Sequence, residues 1–345
     1  MHKSAISSLK LYFASLLLLV AVISGCGGGG FSDNTSGSTG VAPTITAANA
    51  ATVAGTAVAA MDVTISSSDF GANTVSVLKT NRTETKFNLS GFSKELLITL
   101  NNSGWQNHVI SSTVFASAVT LNGLPCDISG TIDMDWNDAD NNLVFSANDT
   151  FTITFNNCVD ATSTANGTAS LTGFNLTGDP SLPGTIWSMT STFTFTNLQI
   201  TEAGETISTN GSMRFNSAST NGALETATIT TSSLTITDGS ETVILDNLTI
   251  DTTLDTNTLA TTLTFNGVVD SSIDGRVTVT TITTLQGLDT DDYPGTGAIK
   301  VSGANNTSVT LTAVDNTNVR LAVDADGDGI TDSTINTTWT ALENT

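Results

Sequence analysis

The chain is predicted to be all-β, a long-stranded antiparallel meander bent into a half-barrel or barrel with one helix near its N-terminus, or alternatively a β-sandwich. Three observations predict it. Only 12% of the 345 residues are charged, and Thr, Ser and Asn supply most of the polarity, which suits strands with one wetted face better than charge-paired helices. Turn-like stretches recur at near-equal intervals around Gly204, Gly222, Gly239, Thr256 and Gly275, marking hairpins between strands about twice the usual length. Finally, the apolar alternation inside those strands changes phase at matching levels.

The phase changes are specific. Phe193 and Phe195 are out of step with Leu198 and Ile200, Ala227 and Ile229 with Leu234 and Ile236, and Val243 and Leu245 with Leu248 and Ile250. The same slip separates Phe265 from Val268, and Val277 and Val279 from Ile282. A one-residue slip turns side chains to the other face unless a bulge absorbs it. Folded about the turns, the breaks near 197, 232, 246, 266 and 280 fall opposite one another. The strand from Ile207 to Phe215 keeps its phase but carries Gly211 at that level, where a kink is easiest. Such a row bends a sheet.

The N-terminus reads as a processing segment, 1–25. Lys3 and Lys10 precede a largely apolar run, Leu11 to Ile23, too short to span a bilayer but suited to secretion. Ile23-Ser24-Gly25-Cys26 resembles the lipobox of bacterial lipoproteins. That resemblance implies cleavage before Cys26, its lipidation and a membrane partner; Gly27 in place of the inner-membrane-retention Asp implies the outer membrane. Residues 26–43 then read as lipidated cysteine and flexible tether. A helix is placed within 44–62 by the spacing of Val53, Ala57, Val58 and Met61, capped by Thr44 or Thr46. The β domain covers 63–323, followed by an Asp-rich loop and C-terminal segment, 324–345.

Charge and cysteines narrow the function. Lys3 and Lys10 precede Cys26, leaving eight basic residues against 32 acidic ones beyond it. A surface this acidic repels phosphate backbones, so no nucleic-acid partner is expected and cations are favoured. Cys126 and Cys158, in an exported chain without CxxC spacing, are expected to form a disulfide. An integral outer-membrane barrel would need aromatic girdles, whereas Tyr293 is the one tyrosine after the leader.

One stretch carries site chemistry. In DADGDGITD, Asp324, Asp326 and Asp328 occupy positions 1, 3 and 5, Gly329 position 6, Ile330 the carbonyl-donating position 7 and Asp332 position 9. The spacing resembles that of EF-hand, dockerin and thrombospondin type-3 calcium loops, and implies calcium as a structural cofactor. Two features depart from it: position 12 is Ile335, and a strand rather than a helix leads in. The absent ligand is expected from water, Asp315 or Glu343. A second cluster, with Asp133, Asp135, Asp138 and Asp140, reads as a solvated hairpin tip by its Asn-rich turn chemistry, although Asp133 and Asp135 on one strand face also offer a carboxylate pair for glycan hydrolysis. His108 is the one histidine after the leader, and no nucleophile elbow or phosphate loop appears. The expectation is therefore not an enzyme but an outer-membrane lipoprotein with an envelope-structural, adhesive or surface-binding role. The alternatives are a carrier of an apolar ligand on the concave face and, third, a carboxylate-based glycan enzyme. A filled space between helix and sheet favours the first, an open pocket the carrier.

Overall fold

The structure, a computed structural model, describes residues 40–65, 118–140, 148–159, 163–178, 184–202 and 204–343. Cys26, the leader, most of the tether, His108 and the segment 66–117 lie outside the described residues. Fourteen antiparallel strands follow one another in chain order across a single sheet. They are β1 (Ala118–Pro125), β2 (Ser129–Asn137), β3 (Thr150–Val159), β4 (Ser163–Thr177), β5 (Trp187–Glu202), β6 (Glu205–Ser219) and β7 (Leu224–Asp238). The series continues with β8 (Glu241–Asp255), β9 (Ala260–Ser271), β10 (Gly275–Leu288), β11 (Thr296–Ser302), β12 (Ser308–Ala313), β13 (Asn318–Asp324) and β14 (Ser333–Thr338). Every turn expected from β5 to β10 is present, and among the described residues the sheet is open, with β1 and β14 at its two margins.

Bulges and glycines alternate along the predicted line. Along it, extra residues sit in β3, β5, β7, β8 and β10, where register shifts interrupt pairing to the neighbours β2, β4, β6, β9 and β11, which carry none at that level; elsewhere β1 and β4 each hold one extra residue, between Leu121 and Leu124 and between Thr172 and Asn175. Asn157, Asn197 and Asn247 take left-handed conformations, φ 48°, 46° and 49°, inside the bulged strands, a region that Asn tolerates better than most residues. The neighbours without an extra residue at that level carry Gly130, Gly167, Gly211, Gly267 and Gly297 at inward positions there, each pressed against the bulged neighbour's backbone. The asparagine preceding some of these glycines bonds the next bulge: Asn197 N–H donates to Asn210 Oδ1 (2.6 Å) and Thr281 N–H to Asn266 Oδ1 (3.0 Å). Because the β5 bulge absorbs one residue, Phe193, Phe195, Leu198 and Ile200 all point inward and are buried.

Two phase expectations are corrected. β9 has no bulge, and its inward set is Leu263, Phe265, Gly267 and Val269 rather than Val268. The slip read there belongs to its neighbours, since adjacent bulged strands and an unbulged one look alike in one-dimensional alternation. In β10 two extra residues enter the register between Val279 and Leu285. Ile282 is left exposed and Leu285 is buried.

The outward face is polar. Cross-strand hydroxyl pairs such as Thr152–Ser170, Thr154–Thr168 and Thr253–Thr262 lie 2.7–3.2 Å apart, the pairing that favours β-branched hydroxyls on neighbouring strands. A lipid-facing barrel wall would need apolar residues there.

The helix α1 (Ala50–Ile65) begins its hydrogen bonding at Thr46, whose carbonyl accepts Ala50 N–H (2.9 Å). Asn49 Oδ1 reaches back to Thr46 N–H (2.7 Å), half of a capping box. Its small residues let α1 lie close on β9, β11, β12 and β13 and against a short C-terminal helix, α2 (Trp339–Glu343). Ala54, Ala57, Val58 and Met61 are fully buried there, as are Val309, Leu311 and Trp339. Residues 40–43, assigned to the tether by composition, are held by the domain: Gly40 N–H donates to Asp270 (3.0 Å) and Pro43 C=O accepts Ala304 N–H (2.8 Å). Asp270 in turn pairs with Arg276 (3.3 Å), which also meets Asp246 (2.9 Å).

Cys126 and Cys158 form a disulfide with Cα atoms 5.5 Å apart. It ties the β1–β2 turn to β3 across the intervening strand, at the margin of the sheet formed by the described residues.

Candidate functional site

The aspartate loop connects two strands. β13 ends at Asp324 and β14 begins at Ser333, with Val323 opposite Ser333 in an unbroken register. The expectation that the loop lies beyond the last strand is thus corrected: β14 and α2 follow it. The signal missed was STINTT, whose β-branched residues make a strand, and Trp339, whose burial anchors the chain end.

Within the loop the carboxylates organise the backbone. Asp324, largely buried at 7% exposure, accepts Gly327 N–H at Oδ1 (2.8 Å) and Gly329 N–H at Oδ2 (3.0 Å). Asp332 Oδ2 accepts Ala325 N–H (2.7 Å), closing the loop back on its start. Gly327 takes φ 78° and lies so close to Asn305 that a Cβ would meet its carbonyl oxygen at 2.2 Å. These bonds are the physical content of the aspartate spacing: short acceptors at alternate positions curl the chain around a centre.

Three of the expected residues converge. Asp324, Asp326 and Asp332 each place a carboxylate oxygen within 4.8 Å of the others, a separation that one cation with oxygen ligands at 2.3–2.6 Å could span. Asp328 is not in that group, and its Oδ1 instead accepts Ile330 N–H (2.7 Å). The Ile330 side chain is 68% exposed. A carboxylate oxygen has more than one lone pair, so accepting an N–H does not remove it as a ligand.

Neither distant carboxylate completes the set. Asp315 lies in the β12–β13 turn, at the opposite end of β13, where it accepts Thr317 N–H (2.8 Å) and Asn318 N–H (2.7 Å). The Asn318 side chain, followed by these backbone N–H groups, holds its carboxyl below the usual range. Glu343 accepts the Tyr293 hydroxyl (2.8 Å). Neither joins the converging group, which leaves water among the expected sources of a further ligand.

A second group was not legible as one. Asp138, Asp140 and Asp149 also place oxygens within 4.8 Å of one another, and Asp138 and Asp149 are each 1% exposed. The solvated-tip expectation fails for Asp138. Asp149 directly precedes β3 in sequence, which is the cue that it folds back beside the end of β2, where its Oδ1 accepts Ala139 N–H (2.9 Å). Asp133, half of the alternative carboxylate pair, accepts Gly123 N–H (2.6 Å) and the Asn156 amide (2.8 Å) and so braces the β1 bulge.

Comparison with protein-family models, curated proteins and solved structures finds no significant match to the chain.

Proposed function

We propose that this chain is a non-catalytic envelope protein, held on the outer membrane through Cys26, whose last hairpin loop takes a structural calcium ion. The observation that carries the calcium reading is the convergence of Asp324, Asp326 and Asp332 within 4.8 Å on a loop with calcium-type spacing. The lipobox-like Ile23-Ser24-Gly25-Cys26 supports the anchor. A structural, adhesive or surface-binding role accords with the packing under α1: Val58, Met61, Leu311 and Trp339 are fully buried there, so the helix fills space a carrier would keep open for an apolar ligand. The polar threonine face offers a wetted surface to other envelope components.

The anchor is tested by fractionation. Cys26→Ala should release the chain from membranes or stall its processing; unchanged processing and membrane association would refute the anchor. The carrier alternative predicts a stoichiometric apolar ligand on organic extraction of the purified protein, and the structural reading predicts none.

A further inference from the structure

We propose that the rim holding the 272–274 turn and the 325–332 loop rests on the membrane surface, inserting Val41, Ile273 and Ile330 among zwitterionic lipid headgroups. The proposal rests on the anchor reading of Cys26 and adds an orientation to it.

These three side chains are 88%, 68% and 68% exposed. Large exposed aliphatics also occur at the opposite rim, including Leu259 at 39% and Ile186 at 69%, so exposure alone does not choose an end. What chooses is where the N-terminal segment joins the domain. Gly40 is bonded to Asp270 (3.0 Å), and Gly275 backs onto Val41, with a Cβ there placed 2.5 Å from the Val41 carbonyl oxygen. Pro43 bonds Ala304 (2.8 Å), and Asn305 in turn backs onto Gly327. Val41, the β9–β10 turn and the aspartate loop therefore form one continuous stretch of rim, at the point from which residues 27–39 lead back to Cys26.

On the tether reading of that stretch, a chain of its length would reach ~20 Å on average. The anchor thus holds the rim at a high effective concentration beside the bilayer, where shallow insertion of a few aliphatic side chains suffices even though it would be too weak for the free domain. The rim is acidic, with Asp274, Asp324, Asp326, Asp328 and Asp332 beside the isoleucines. Like charge opposes anionic headgroups, which selects a zwitterionic surface.

The test uses the lipidated full chain with Ile273→Cys, Ile330→Cys or Leu259→Cys, each labelled with a thiol-reactive dye. The proteins are reconstituted on phosphatidylcholine–phosphatidylethanolamine vesicles whose acyl chains carry bromine. Quenching at 273 and 330 should exceed that at 259 several-fold. Equal or absent quenching at the three positions, with the protein still bound to vesicles, overturns the docking while leaving the anchor intact. A chain that does not stay with the vesicles overturns the anchor, and the docking with it.

Discussion

Gly167 on β4 faces the backbone carbonyl of Asn197 on β5 so closely that a Cβ at 167 would lie 2.0 Å from the Asn197 oxygen. The bulge at Asn197 pushes its peptide toward the inner face, and only a residue without a side chain leaves room opposite. Gly130 and Asn157 repeat the relationship two strands away, with a 1.9 Å approach. The bend of the sheet is therefore specified in pairs, each glycine matched to a neighbour's bulge.

Gly167→Ala should accordingly be severe. Its φ of +99° and the carbonyl contact together should cost about 3 kcal/mol or more. Gly239→Ala, in a turn at φ +55° with open space around it, should cost only about 1 kcal/mol. Urea denaturation of the two variants checks the difference; equal losses would mean that the pairing does not set the fold.

Reduction of the disulfide should loosen the margin at β1. Cys126 and Cys158 are separated by 32 residues, for which chain entropy gives about 3–4 kcal/mol. Urea midpoints of the oxidised protein and a Cys126→Ser, Cys158→Ser variant measure it, and the variant should remain folded because the buried core of β4–β13 does not depend on the bridge.

How much of this was legible in sequence depends on the signal. Alternation and punctuation place the long strands, since period-2 patterning and turn chemistry are local. The bulge assignments were legible only to the level of the bend. Asn-Gly illustrates why: Asn221-Gly222 forms a hairpin turn, whereas Asn210-Gly211 lies in mid-strand, its asparagine bonding the Asn197 bulge (2.6 Å). The same dipeptide serves both because each use requires positive φ at glycine, and only the neighbouring strand decides between them. Asp149 joins Asp138 across the β2–β3 connection: its place directly before β3 is a cue, but the meeting follows only once the two strands are known to pair.

The acid limb of stability should include Asp315. Its folded pKa is lowered, so its contribution is present above the unfolded carboxyl value near 4 and is lost as pH falls through the lower folded value. Asp315→Ala should flatten the fall in melting temperature between about pH 4 and pH 2 relative to the parent, with the main loss already visible at neutral pH.

Tyr293 predicts the alkaline limb. Burial, reinforced by the Glu343 carboxylate and opposed by the Thr340 hydroxyl, pushes its hydroxyl well above the ordinary tyrosine range. Its ring stacks on Trp339 with centroids 5.7 Å apart. A raised folded pKa contributes stability fully present below about pH 10 and lost as pH rises through the folded value. Thermal melts from pH 8 to 12 should therefore decline more steeply for the parent than for Tyr293→Phe.

The most direct test of the account is calcium binding by the aspartate loop. Millimolar calcium should release or absorb heat in titration calorimetry and raise the melting temperature by about 2–4 °C, as expected when roughly tenfold excess over a weak extracellular-type Kd stabilises only the folded state. Asp326→Ala with Asp332→Ala should abolish both signals. Asp328→Ala should keep most of them, because its carboxylate lies outside the converging group. Absence of heat and of any melting shift at several millimolar calcium, or equal loss in all the variants, would contradict the proposed site.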